Sequence, residues 1–161
     1  MLLKPGQRTS EFVILIIAGH YIRGVFMKKF LVIDDESLNC RLLREILAKI
    51  AYCDCVYNGP DALTLFSTAH SANVPYDLVL LDISMPEMDG IEVLEKMRSY
   101  EENAGVMLGC GTPILMVTAV KEHFMTAFKK GADDYVLKPV DQDVLLQKID
   151  SLLAKNRTNN S

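Results

Sequence analysis

The sequence predicts an α/β fold: a single doubly wound, five-stranded parallel sheet built from five β-then-α units. Short unbroken apolar runs occur five times, each ended by turn-forming or charged residues, which is how strands buried on both faces read. Between them lie segments with apolar residues three and four apart, the spacing of one helical face. Right-handed crossovers then put helices on both faces of one sheet. At 161 residues, 50% of them hydrophobic and 24% charged, the chain is most simply one globular domain with its own core.

The first strand is Phe30–Ile33, running into Asp34-Asp35-Glu36. Ser37 can cap the helix that follows, where Leu38, Leu42 and Ile46, with Leu43, Leu47 and Ile50, give helical spacing. Cys53–Tyr57 is the second strand, closed by Asn58-Gly59; Pro60 suits a first helical turn, and Ala62, Leu65, Phe66 and Ala69 face inward. Leu78–Leu81 is the third strand and ends on Asp82, and Ile91, Val93, Leu94 and Met97 pattern the third helix. Residues 99–112 carry three glycines and read as an exposed loop. Ile114–Val117 is the fourth strand, ending on Thr118-Ala119. A short fourth helix over 122–130 turns Phe124, Ala127 and Phe128 inward before Gly131 stops it. Tyr135–Leu137 is the fifth strand, ending on Lys138-Pro139, and Val144, Leu145, Ile149, Leu152 and Leu153 pattern the last helix.

Domain boundaries are expected at 27–155, with a polar, frayed tail over 156–161. Residues 1–26 read as an N-terminal extension from an upstream start, with Met27 as the natural one. Lys4 and Arg8 precede an apolar run from Phe12 to Ala18. That run falls short of the roughly 20 apolar residues that span a bilayer, and no small-x-small cleavage pattern follows. A net charge of −4 without a Lys/Arg stripe argues against nucleic acid as a partner. No membrane association is expected, and a cytoplasmic location is. Cys40, Cys53, Cys55 and Cys110 lack zinc spacing, and Cys53 and Cys55 are expected on opposite faces of their strand. The four are read as reduced thiols in a reducing compartment.

The strand ends carry the chemistry. Asp34, Asp35, Asp82, Thr118 and Lys138 all leave the sheet at its C-terminal edge, where open α/β sheets bind ligands. Two carboxylates about 4 Å apart repel by roughly 4 kcal/mol at an effective dielectric of about 20. Three in one cleft therefore require protons, a cationic partner or a metal. Lys138 supplies one positive charge, and the remaining oxygen-only set suits a hard ion such as Mg²⁺. A carboxylate there could attack a phosphoryl group, with Lys138 and the Thr118 hydroxyl on the transferred oxygens and small Ala119 leaving room for entry.

These residues resemble the receiver domain of two-component response regulators, through IDDE at 33–36, LLDISMPEMDG at 80–90, VTA at 117–119 and YVLKP at 135–139. The resemblance covers about residues 28–154 and implies the flavodoxin-like strand order 2-1-3-4-5. It implies that Asp82 is phosphorylated by a sensor histidine kinase or a histidine phosphotransfer protein. It also implies that Asp35, Asp82 and the backbone carbonyl of Ser84 ligate Mg²⁺, with Asp34 acting mainly through a metal-bound water. Lys138, Thr118 and Ala119 take the phosphate-binding positions, the Lys138–Pro139 bond is implied to be cis, and Thr118 and Tyr135 match the switch pair. Ser84 and Val120 flank the site at positions that influence hydrolysis.

Two departures stand out. The Thr118–Lys138 interval is about two residues short for the family, roughly half a helical turn, and the loop before strand four is long. Because no helix-turn-helix segment follows residue 154, the chain is expected to act as a single-domain regulator that signals by docking to a downstream protein. It is not expected to be an enzyme beyond its own phosphotransfer and autodephosphorylation. A phosphorelay intermediate or phosphate sink, and a receiver that no longer switches, are the alternatives within the family. A haloacid-dehalogenase-type phosphatase would need an acid two residues after the nucleophile, where Ser84 stands.

Overall fold

Each apolar run becomes a strand in the computed structural model, which describes residues 16–17, 20–21 and 27–159. In chain order the elements are β1 (Lys28–Ile33), α1 (Ser37–Leu47), β2 (Ala51–Val56), α2 (Gly59–Ser71), β3 (Leu78–Leu81), α3 (Gly90–Asn103), β4 (Ile114–Thr118), α4 (Phe124–Lys129), β5 (Asp134–Leu137) and α5 (Gln142–Asn159). The strands are parallel and lie in the order β2-β1-β3-β4-β5, as expected. Two further two-residue strands, Ile16–Ile17 and His20–Tyr21, pair antiparallel in a separate sheet. The rest of the expected extension lies outside the described residues, as do 160–161 of the expected tail. Among the described residues no helix is long and apolar enough to cross a membrane.

Alternation along the strands divides the core between the two faces of the sheet. Leu31, Ile33, Val79, Leu81, Ile114 and Met116 pack against Phe66 of α2 and Leu94 and Met97 of α3. Phe30, Val32, Leu78, Leu80, Leu115 and Val117 pack against Leu43 and Leu47 of α1 and Leu145 and Ile149 of α5. Local chemistry starts two of the helices: Asn58 accepts from the Asp61 N–H at 2.8 Å, and Asp89 accepts from the Glu92 N–H at 2.8 Å. Register then sets the site. Ile33 lies opposite both Val56 and Leu81, and Leu81 opposite Met116, so the C-terminal ends of the central strands are level.

Several local expectations are corrected. Glu36, not Ser37, takes the cap position of α1, with no side-chain cap bond. Leu38 and Leu42 are exposed, and Cys40 joins Leu43 and Leu47 on the buried face. Alpha-helical apolar spacing wider than one stripe cannot all be buried by one sheet. Phe128 and Val144 are likewise exposed. Helix α3 runs on to Asn103, shortening the expected loop, and Glu101 and Thr112 are buried in it and after it. Cys53 and Cys55 both pack on the α1/α5 side, because residues two apart in a strand share a face. The last helix runs through Asn159.

Candidate functional site

The level strand ends carry Asp34 from β1 and Asp82 from β3. Their backbones are still in the ladder: the Asp34 N–H donates to Val56 O at 3.2 Å, and the Asp82 N–H to Ile33 O at 2.9 Å. Both side chains are buried, Asp34 at 1% and Asp82 at 4% exposure, whereas Asp35 is exposed. Behind Asp82, a Cβ on Gly90 would run into the Asp82 carbonyl. The tight approach of α3 to the end of β3 therefore requires a glycine at that position. One carboxylate oxygen from each of Asp34, Asp35 and Asp82 lies within 4.8 Å of the other two.

Lys138 reaches this cluster from the residue after β5, its N–H bonded to Thr118 O at 3.0 Å and its peptide bond to Pro139 cis. Its ammonium donates to Asp34 Oδ2 at 2.7 Å and lies 3.3 Å from Asp82 Oδ2. The other Asp34 oxygen accepts from the Glu36 N–H at 2.9 Å and from Asn39 Nδ2 at 3.1 Å. Burial pushes the Asp82 carboxyl above its ordinary pKa; Lys138 opposes this and Asp34 adds to it, while the Ser84 N–H bonds to the ionised form. Burial alone would lower the Lys138 pKa, yet its hydrogen bond to Asp34 and the charge of Asp82 hold it above the ordinary value. Three carboxylates against one ammonium leave the pocket net negative. A set of oxygens with one exposed member suits a hard divalent ion such as Mg²⁺.

The remaining expected residues surround the cluster. Thr118 is fully buried and its hydroxyl accepts from the Val120 N–H at 3.2 Å. Ala119 and Ser84 are exposed at the mouth. Tyr135 stands farther out on β5, its ring stacked on Phe124 at 3.7 Å between centroids, edge-on to Phe128 and under the Lys148 ammonium at 4.9 Å. Sequence reasoning missed Asn39, whose signal is its place in the first turn of α1, above the end of β1. It also missed a second polar cluster built from Arg98, Glu101, Thr112 and Asp133, near His70.

A model of the response regulator receiver domain matches residues 30–150. The chain belongs to that family. The receiver is 39% identical over 122 residues to the regulatory protein AtoC of Escherichia coli K12, covering 74% of this chain and 24% of AtoC. It spans from about a quarter to about half the length of the curated relatives AtoC, ResD and VanRB, with shares of 24%, 48% and 53%. Among solved structures it resembles a CheY-like receiver domain protein from Methanospirillum hungatei JF-1, with a TM-score of 0.69 and 26% identity over 83% of this chain and 98% of that one. It also resembles the receiver domain of the Arabidopsis thaliana histidine kinase CKI1, solved with Mg²⁺ and BeF3⁻, at a TM-score of 0.64 and 26% identity over 77% and 90% of the chains.

Proposed function

We propose that this receiver takes a phosphoryl group onto Asp82 from a sensor histidine kinase or histidine phosphotransfer protein, in a Mg²⁺-dependent reaction, and so changes its partner-binding face. The observation that supports this reading is the buried Asp34–Asp82 pair tied to Lys138 beside exposed Asp35. Asp34, Asp35, Asp82 and the Ser84 carbonyl are the groups that would hold the ion, which supplies positive charge against the incoming phosphoryl oxygens.

An ionised Asp82 oxygen attacks phosphorus. The new P–O bond forms as the donor's P–N bond breaks, and the imidazole leaves with the bonding pair and takes up a proton. Lys138, already 3.3 Å from Asp82, offsets the charge carried on the transferred oxygens. Ala119 leaves space beside Asp82 for the group to enter. Thr118 gives up its bond from Val120 and turns its hydroxyl to the phosphoryl group. Tyr135 then leaves its stack on Phe124, which alters the surface formed by α4 and β5. The same chemistry serves a phosphorelay intermediate, so an output partner and a further phosphotransfer protein both fit the exposed faces. The receiver is proposed to be no enzyme toward a separate substrate, since Ser84 stands where a phosphatase of the haloacid-dehalogenase type needs an acid. None of the four cysteines is in a disulfide, which suits a reducing cytoplasm.

The deciding experiment is incubation with acetyl phosphate or a phosphorylated histidine donor, with and without Mg²⁺. One phosphoryl group per chain is expected on Asp82, lost on chelation of the metal and in Asp82→Asn. Incorporation into Asp82→Asn as stable as in the parent would falsify the assignment.

A further inference from the structure

We propose that Lys148, fixed in place by Asp134, is a positioning residue that holds the Tyr135 ring in its resting place and so sets how readily the switch responds. The inference rests on the switching role proposed above for Tyr135 and adds the group that opposes it. Tyr135 is half-buried on β5, and two helices hold its ring. Phe124 of α4 stacks on it at 3.7 Å between centroids, and the Lys148 ammonium of α5 lies over it at 4.9 Å from the centroid. A cation so placed is drawn to the negative face of the ring. Left alone, a lysine head on its flexible stem would turn out to water. Asp134 prevents this, because Lys148 Nζ donates to Asp134 Oδ1 at 2.6 Å. The same oxygen accepts from the Tyr135 N–H at 2.7 Å. One carboxylate thus ties down both the backbone of Tyr135 and the cation over its ring.

The consequence is a difference between two states. When Tyr135 leaves its stack, Asp134 and Lys148 keep each other, and only the contact between ammonium and ring is lost. That contact therefore stabilises the resting state alone, and a ligand that needs the ring displaced binds against it. An ammonium–aromatic contact near the surface is worth about 2–5-fold in such a balance. That is enough to tune the response without blocking it. Two lysines then act at the two ends of one short stretch of chain. Lys138 faces the carboxylates of the pocket, and Lys148 restrains the ring three residues before it.

The test titrates beryllofluoride, a phosphoryl mimic, with Mg²⁺ into the full chain and follows the amide resonances of β5 and α4. Lys148→Met keeps the apolar stem and removes the charge, so its midpoint should fall at about 2–5-fold less beryllofluoride than the parent's. Lys148→Arg restores a cation to both Asp134 and the ring and should return the midpoint to the parent's. Asp134→Asn leaves an acceptor for the Tyr135 N–H but frees the ammonium, and should move the midpoint in the same direction as Lys148→Met. The contact itself is read without ligand: the Lys148 ε-methylene protons should lie upfield, in the ring current of Tyr135. They should return to ordinary positions in Tyr135→Leu and in the parent saturated with beryllofluoride. Unshifted protons in the free parent, or equal midpoints for the parent and Lys148→Met, would overturn the restraint and leave the switch and the phosphorylation of Asp82 intact. A parent in which beryllofluoride moves neither β5 nor α4 would overturn the switch and the restraint together.

Discussion

Asp82 is a charge held where charge is disfavoured, and that gives it opposite effects on stability and on ligand binding. Its folded carboxyl sits above the ordinary value of 3.8 because burial and Asp34 outweigh Lys138. Below that ordinary value both folded and unfolded chains hold the proton, and Asp82 costs little. As pH rises through the raised folded value, the fold must ionise a buried acid, and this contribution to stability is lost. Asp82→Asn should therefore be the more stable protein at pH 7 without metal, by on the order of 1 kcal/mol after the offset from Lys138. Its Tm should be higher by about 2–8 °C, and the gap should close as pH falls below the carboxylate range. Adding Mg²⁺ should raise the Tm of the parent and leave that of the variant nearly unchanged. Asn39 predicts the opposite pattern: Asn39→Ala removes one of two donors to Asp34 Oδ1. It should weaken Mg²⁺ binding by about 2–10-fold, the usual value of one hydrogen bond, as measured by calorimetry. Asp34, Asp82, Thr118 and Lys138 were legible because each directly follows or closes an apolar run. Asn39 was not, because an Asn in a first helical turn has several ordinary uses, and only the fold shows it over the end of β1.

At the level of elements, strands were read well and the α3–β4 connection was read poorly. Strands buried on both faces announce themselves as apolar runs, whereas residues 99–112 are polar and glycine-rich and look solvated. In the fold, Glu101 turns inward and accepts from the Thr112 N–H and from Arg98, both at 2.6 Å. Arg98 continues to Thr112 O, Gly131 O and Asp133, using the fixed fork of its guanidinium. Gly111 reflects this packing and not flexibility, since a Cβ there would collide with the Glu101 carboxylate. The cluster fastens α3 to the start of β4, at the end of the sheet away from Asp82. Glu101→Ala should leave the Thr112 N–H unpaired and an Arg98 charge partly uncompensated, costing about 3–5 kcal/mol. Amide hydrogen exchange over 104–112 should accelerate more than elsewhere. Phosphoryl uptake by the folded fraction should match the parent, which separates this fastening from the carboxylate site.

Across the whole molecule, the carboxylate pocket and the α4 face are joined through β4 and β5. Thr118 ends β4, Lys138 follows β5, and the two are bonded backbone to backbone at 3.0 Å. Tyr135, three residues earlier, holds α4 through its stack on Phe124. That helix spans only Phe124–Lys129, and it leaves Met125 and Phe128 exposed. A phosphoryl group on Asp82 adds about two negative charges to a pocket already net negative. The adjustable hydroxyl nearest that charge on β4 is Thr118, now occupied by the Val120 N–H. Thr118→Val keeps the shape and removes the hydroxyl, so uptake of phosphate should persist, slowed by no more than about 10-fold, the scale of one hydrogen bond to a charged group. The response beyond the pocket should be lost. In the parent, beryllofluoride with Mg²⁺ should shift amide resonances of β5 and α4 as well as those around Asp82, whereas in Thr118→Val only those around Asp82 should move. Parent spectra in which β5 and α4 stay still would leave a receiver that binds the phosphoryl mimic without switching. Equal shifts in parent and variant would place the coupling on Lys138 instead of Thr118.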